Sequence, residues 1–207
     1  MLGLYPTSTR FAGGIKNKEY MTMQVKPIRA ARMRTLDLAY AALFAALIAV
    51  CAWISIPLTV PFTLQTFGVF AALCTLGGRR GTCAVTVYIL LGLVGLPVFA
   101  GFDSGLGVLL GATGGYIWGF LTAALLYWLL TALLGEKPWV KAAACVLGMA
   151  AYDILGTAWF LVVYNRTAGP IGLEGALAFC VFPFLVPDLA KIGLAVLTAQ
   201  RTARFVK

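Results

Sequence analysis

An acid and a base stand close together in the last apolar stretch of the chain, at Asp188 and Lys191. They are three positions apart, so on a helix both side chains lie on one face. A carboxylate accepts hydrogen bonds and an ammonium donates them, so together they could bind a head group with both N–H and C=O, such as a urea or amide ring. Ionisable residues inside a membrane segment are costly and usually mark a functional site. The alternative is a pair near a helix end that only neutralises itself.

Asp153 is a second acid within an apolar stretch, and for it a hydrogen-bond anchor between helices is favoured over a ligand role. The chain has no histidine, and its five cysteines form no C-x-x-C motif. The usual general base and the usual zinc ligands are therefore missing. No metal and no cofactor is expected, and a small membrane enzyme using Asp153, Asp188 and Lys191 is disfavoured.

The composition predicts an integral membrane protein. Of the 207 residues, 61% are hydrophobic and only 11% are charged, whereas soluble domains are about half apolar and a quarter charged. The apolar residues form long runs, with room for about six spans of roughly 20 residues each. We predict an all-α protein, a bundle of six transmembrane helices, over residues 34–207, preceded by a basic, disordered extension over residues 1–33.

The basic residues predict the orientation, because they lie between the apolar runs and Lys and Arg prefer the cytoplasmic side. With both termini cytoplasmic, the outer loops of this multi-pass cell-membrane protein receive only Arg166. The inner side receives Arg29, Arg32, Arg34, Arg79, Arg80, Lys137, Lys141, Arg201, Arg204 and Lys207. Topology thus accounts for the net charge of +9, and no nucleic-acid partner is expected.

This orientation places three unusual segments on the external side: a proline-broken loop at residues 57–66, a glycine-rich stretch at 92–119, and the Asp188 end of the last helix. Irregular backbone at membrane depth is tolerated where it is buried in protein or lines a cavity. We therefore predict an external pocket, with Gly114 and Gly115 opening the fourth span with free N–H groups. Its predicted lining is Gln65, Tyr116 and Tyr88 as polar groups and Phe62, Phe99 and Trp118 as walls. A channel with a glycine-rich filter is the alternative.

Small residues recur every four positions on the first span, at Ala41, Ala45 and Ala49 and again at Ala42 and Ala46. Such a face lets another helix approach closely within a membrane. The helix that approaches could belong to this bundle or to a partner protein.

Four motifs, in this order along the chain, resemble a known family: VPFTLQT at residues 60–66, GLPVFAG at 95–101, GATGGY at 111–116 and PFLVPDLAK at 183–191. From about Arg34 onward, the chain resembles the biotin-specific S components (BioY family) of energy-coupling factor (ECF) transporters. The resemblance implies a six-helix subunit that binds biotin from outside. It also implies partners, a transmembrane T protein and two ATP-binding-cassette ATPases, which hydrolyse the ATP.

The resemblance also implies roles for residues. Asp188 and Lys191 would hydrogen-bond the ureido ring of biotin, Gln65 and Phe62 would lie on the substrate loop, and Ala42 with Ala46 would face the T protein. The chain departs from the family at Asp103, where many relatives carry a basic residue. The biotin carboxylate could then meet Arg166, the Gly114 and Gly115 backbone, or water. An S component for thiamine or riboflavin is the other reading within this class.

Overall fold

The computed structural model describes residues 35–202, so the predicted extension over residues 1–33 lies outside the described residues. The described chain is mostly helical, as predicted. Its elements are α1 (Thr35–Trp53), β1 (Ser55–Ile56), β2 (Phe62–Thr63), α2 (Gln65–Leu76), α3 (Gly78–Leu93), α4 (Leu106–Leu110), α5 (Gly114–Leu134), α6 (Pro138–Thr167), α7 (Leu173–Cys180) and α8 (Phe182–Thr202). A single 3-10 turn, Ala100–Phe102, precedes α4.

Four stretches are long and apolar enough to cross a membrane: α1, α5, α6 and the joined α7–α8 stretch Leu173–Thr202. The predicted count of six spans is not confirmed, since the described residues form seven α-helices of eight residues or more. The 12 residues of α2 extend only about 18 Å, against about 30 Å for a bilayer core. The number of crossings therefore does not follow from helix length alone.

The proline-broken loop forms a small hairpin. Helix α1 ends at Trp53, and β1 then pairs antiparallel with β2, with Ser55 opposite Thr63 and Ile56 opposite Phe62. Because proline has no N–H and blocks a helix, Pro57 and Pro61 keep the intervening residues out of helical conformation. The predicted break in the first helical region is confirmed, and the predicted fourth span matches α5.

Contacts between helix termini define two ends of the bundle. At the basic end, which carries Arg79, Arg80, Lys137, Lys141 and Arg201, the start of α1 is tied to the start of α3 by an ion pair of 2.7 Å between Asp37 and Arg80. There too, Lys141 on α6 donates to the carbonyl of Cys74 on α2 at 3.2 Å.

The loop end carries the hairpin at residues 55–63 and the glycine-rich segment at residues 94–113. The Trp53 indole N–H donates to the Pro97 carbonyl at 2.8 Å. The Trp159 indole donates to the Gly111 carbonyl at 2.9 Å, so α1 and α6 both hold the glycine-rich segment.

Helices α5 and α6 pack closely because glycines on each receive aromatic side chains from the other. A Cβ at Gly115 would overlap Trp159, one at Gly119 would lie 2.8 Å from the Cβ of Tyr152, and one at Gly156 would overlap the ring of Tyr116. Only glycine leaves room for such an approach. The interlocking glycines thereby set the positions of both tyrosines inside the bundle.

The two alanine rows of α1 face in different directions. Ala41, Ala45 and Ala49 are buried against the rest of the bundle, whereas Ala42 and Ala46 are exposed. The first row therefore serves internal packing. The second row leaves an outward face with small side chains.

Candidate ligand-binding site

A cavity of about 120 Å³ lies at the loop end. The hairpin, the glycine-rich segment and helices α2, α5, α6, α7 and α8 all contribute to its wall, so the predicted convergence of distant segments is found in the structure. Its lining residues are Val60, Pro61, Thr63, Gln65, Thr66, Phe99, Ala100, Asp103, Val108, Thr113, Tyr116, Ile117, Phe120, Tyr152, Asp153, Cys180, Phe184, Asp188 and Lys191.

The Asp188–Lys191 pair lines this cavity and is deeply buried, with 4% and 6% of each residue exposed. The Lys191 ammonium lies 2.7 Å from Asp188 Oδ1 and donates to the Thr63 carbonyl at 2.7 Å. The Tyr152 hydroxyl donates to the other carboxylate oxygen, Oδ2. Burying two charges is costly unless further hydrogen bonds satisfy them, and here the bonds to Tyr152 and to the Thr63 carbonyl satisfy both charges. The pair is therefore not a snorkelling pair at a helix end.

Phe62 covers the lysine rather than lining the cavity. The Lys191 nitrogen lies 4.2 Å from the centre of the Phe62 ring, a distance typical of a cation–π contact. The same ring stacks on Phe184, with 5.9 Å between centroids. The hairpin thus holds Lys191 from two sides, through the Phe62 ring and the Thr63 carbonyl.

Gln65 and Tyr88 form a second polar contact. Gln65 is 6% exposed, lines the cavity, and donates from its side-chain nitrogen to the Tyr88 hydroxyl at 2.9 Å. Its amide oxygen is then left as an acceptor for whatever occupies the cavity. Tyr88 itself is fully buried behind Gln65 and packs edge-on against Phe99, with 5.6 Å between centroids.

The remaining predicted residues divide into two groups. Tyr116 and Phe99 line the cavity, and the Tyr116 hydroxyl is hydrogen-bonded to the Thr157 hydroxyl at 3.0 Å. Trp118 is not a cavity wall, since its indole points to the Leu109 carbonyl at 3.3 Å. The expectation of free N–H groups is wrong at Gly114, which donates to the Gly111 carbonyl at 3.0 Å, whereas the Gly115 N–H has no hydrogen-bond partner among residues 35–202.

Sequence reasoning missed Tyr152 and misjudged Asp153. Asp153 lines the cavity but makes no hydrogen bond to any residue between 35 and 202, so it is not the predicted anchor between helices. Tyr152, its neighbour, links α6 to α8 instead. A signal was available, because Gly148 and Gly156 flank Tyr152 at four-residue spacing and mark the face of α6 that packs closely.

Comparisons with known proteins agree with this architecture. The model of the BioY family matches residues 21–207. The biotin transporter BioY of Thermotoga maritima is 43% identical over 162 residues, which cover 78% of this chain and 92% of that protein. The probable biotin transporter BioY of Pyrococcus horikoshii is 36% identical over 170 residues, which cover 82% of this chain and 97% of that protein.

One solved structure is similar over most of the chain. It is the crystal structure of the S-component for biotin from an ECF-type ABC transporter, with a TM-score of 0.72 at 27% identity, covering 84% of this chain and 95% of that chain. The resemblance drawn from the four motifs is confirmed. Together with the four long apolar helices, these similarities make the chain a multi-pass membrane protein.

The hydrogen bond from Tyr152 to Asp188 is open to a stability test. Tyr152→Phe removes a donor to a buried carboxylate, which we expect to lower the free energy of unfolding by about 1.5–3 kcal/mol. Unfolding in mixed detergent micelles, followed by tryptophan fluorescence, measures it. Tyr127→Phe is the matched control, because that buried hydroxyl lies beside the Cys74 thiol without an oxygen or nitrogen partner in the described chain. Equal losses in both variants would contradict the assigned bond.

Proposed function

The chain belongs to the BioY family, and from that premise we propose that it captures biotin from the extracytoplasmic side for uptake into the cell. It is a transporter subunit of the S-component type rather than an enzyme. In this proposal the protein performs no chemistry on the vitamin. It presents a binding site, and partner proteins supply the energy.

The observation that carries the proposal is the Asp188–Lys191 pair inside the cavity. A ureido ring offers two N–H donors and one carbonyl acceptor. Asp188 has acceptor capacity beyond its bonds to Lys191 and Tyr152, and the ammonium has a third proton beyond its two oxygen partners. The Gln65 amide oxygen adds another acceptor. Phe99, Ile117 and Phe120 offer an apolar wall to the rest of the bicyclic ring.

We further propose that the chain crosses the membrane six times, with α2, α3 and the α7–α8 stretch each counting as one crossing beside α1, α5 and α6. The basic end then faces the cytoplasm, with both chain termini, and the loop end faces outward. Arg79, Arg80, Lys137, Lys141 and Arg201 support this orientation, because they gather at one end.

Energy coupling requires partners in this proposal, since the sequence contains no phosphate-binding G-x-x-x-x-G-K-[ST] motif. We propose that a transmembrane T protein carrying two ATP-binding-cassette ATPases supplies ATP hydrolysis. The exposed Ala42–Ala46 row of α1 would pack against the T protein, because small side chains allow close helix approach in a membrane.

Direct binding tests the function. The full chain, purified in lipid nanodiscs, is expected to bind tritiated biotin saturably, with a Kd below about 1 μM. Unlabelled biotin should displace the label, and thiamine and riboflavin should not. Displacement by either of those vitamins, without displacement by biotin, would assign the subunit to a different substrate. No saturable binding of biotin would remove the proposed function.

The two cavity acids, Asp153 on α6 and Asp188 on α8, should contribute unequally to the affinity for biotin. Asp188→Asn removes the charge that holds Lys191, so we expect biotin to bind about 10–100 times more weakly, as for a lost hydrogen bond to a charged group. Asp153→Asn should change the Kd by less than about threefold, because Asp153 orients no other side chain in the described chain. Isothermal calorimetry in nanodiscs measures both. Similar losses would mean that the α8 pair does not dominate recognition.

A bulky residue on the outer face of α1 should impair assembly but not binding. Ala46→Trp would overpack a helix interface, at a cost of about 1–3 kcal/mol, and reduce co-purification with a co-expressed T protein and ATPases. Ala150→Trp, on an exposed position of α6, is the matched control. Biotin binding by the isolated subunit should be unaffected in both. If Ala46→Trp assembles as well as the control, the T protein does not contact this face.

A further inference from the structure

More acidic than basic side chains line the cavity. Asp103, Asp153 and Asp188 all line it, whereas Lys191 is the one basic residue among residues 35–202 that does so. Lys191 is paired with Asp188 and bonded to the Thr63 carbonyl, and its third proton is the one assigned to the carbonyl of the ligand's ring. A ligand that enters therefore meets carboxyl and carbonyl oxygens, and the described part of the wall has no further cation for an anionic group.

Gln65 independently indicates that the cavity presents hydrogen-bond acceptors to a ligand. Its side chain is 94% buried, and its nitrogen is used by Tyr88, so the group left for the cavity is an oxygen. The fixed acceptors of the wall are thus the Gln65 oxygen and the carboxyl oxygens, while the hydroxyls of the lining threonines can donate or accept. Such a wall suits a ligand with N–H groups and disfavours an anionic group, because a buried carboxylate without a partner is costly.

The backbone and arginine groups that could receive a carboxylate are engaged or lie elsewhere. The N–H of Gly114 donates to the Gly111 carbonyl at 3.0 Å, and Gly115, whose N–H has no hydrogen-bond partner among residues 35–202, does not line the cavity. Arg166 is exposed in the last turn of α6 and does not line the cavity.

The position of the cavity mouth follows from Asp103, which is exposed and lines the cavity as well. The cavity therefore reaches the surface beside this residue. An anionic end of a ligand can stay hydrated there, while the N–H-bearing ring occupies the buried part beside Asp188 and Lys191.

Resting on the proposed function, we propose that this site recognises biotin by its ring and leaves the carboxyl end at the mouth, so that its substrates include amides of biotin. Biotinamide, which is neutral, and biotin joined through an amide to the side chain of lysine both belong to this class. The amide N–H would add a donor toward a rim that carries Asp103, and the anionic charge beside that residue would be gone.

Competition against tritiated biotin in nanodiscs tests this with two compounds. Biotinamide is expected to bind within about threefold of biotin, since no partner of the carboxylate is lost. Diaminobiotin, which lacks the ureido carbonyl but keeps the carboxylate, should bind at least about 100 times more weakly. Biotinamide binding 30 or more times more weakly than biotin would overturn the inference while leaving the proposed function intact. If biotin itself does not bind, the proposed function fails and the inference fails with it.

A charge reversal at the mouth provides a second, independent measurement. In Asp103→Lys, the Kd of biotinamide divided by the Kd of biotin is expected to be about five times larger than in the unmodified chain. The reason is that lysine attracts the biotin carboxylate, with about the energy of two exposed charges in water. Glu174→Lys is the matched control, because Glu174 is an exposed acid in the first turn of α7 that does not line the cavity. An unchanged ratio of the two affinities in Asp103→Lys would place the carboxyl end away from this mouth and overturn the inference.

Discussion

The structure depends most on the need to satisfy two buried charges within an apolar bundle. Asp188 and Lys191 are almost fully removed from solvent, and a charge at such a position is tolerated only with good partners. Tyr152 on α6 and the Thr63 carbonyl of the hairpin supply them. The ion pair consequently ties α8 to α6 and to the hairpin. The same bonds orient the pair so that its remaining donor and acceptor positions face the cavity.

A second constraint is the close approach of α5 and α6. Gly115 and Gly156 leave space for Trp159 and Tyr116 of the opposite helix, and Gly119 lets the backbone of Tyr152 approach closely. Because the two helices are held in this way, Tyr116 and Tyr152 both reach the cavity, and Tyr152 reaches Asp188. Packing in an apolar protein thus determines the polar geometry of the site.

Charge is distributed unevenly along the bundle. The basic end is held together by ion pairs and by a lysine-to-carbonyl bond, whereas three acidic side chains and one lysine line the cavity at the loop end. The first feature supports the proposed orientation, in which the basic end faces the cytoplasm. The second favours a ligand whose buried part is rich in N–H groups.

The sequence alone determined the class of protein and the helical architecture, and it singled out Asp188 and Lys191, which the structure buries as a pair beside the cavity. Long apolar runs, proline breaks and an acid–base pair inside a span have local physical causes, and local causes can be read from the order of residues. The four motifs determined the family as well. The sequence also marked Ala42 and Ala46, but it could not separate their outward row from the buried row beside it.

Only the tertiary structure decided which side chains meet. In the structure Tyr152 rather than Asp153 bonds to the neighbouring helix α8, Tyr88 lies behind Gln65, and Trp118 lies outside the cavity wall. Neighbours such as Tyr152 and Asp153 differ by about 100° around a helix, so the small rotation set by packing chooses between them. Partners from distant segments, such as Thr63 and Lys191, are brought together only by the fold, so the local sequence around either residue does not predict the contact.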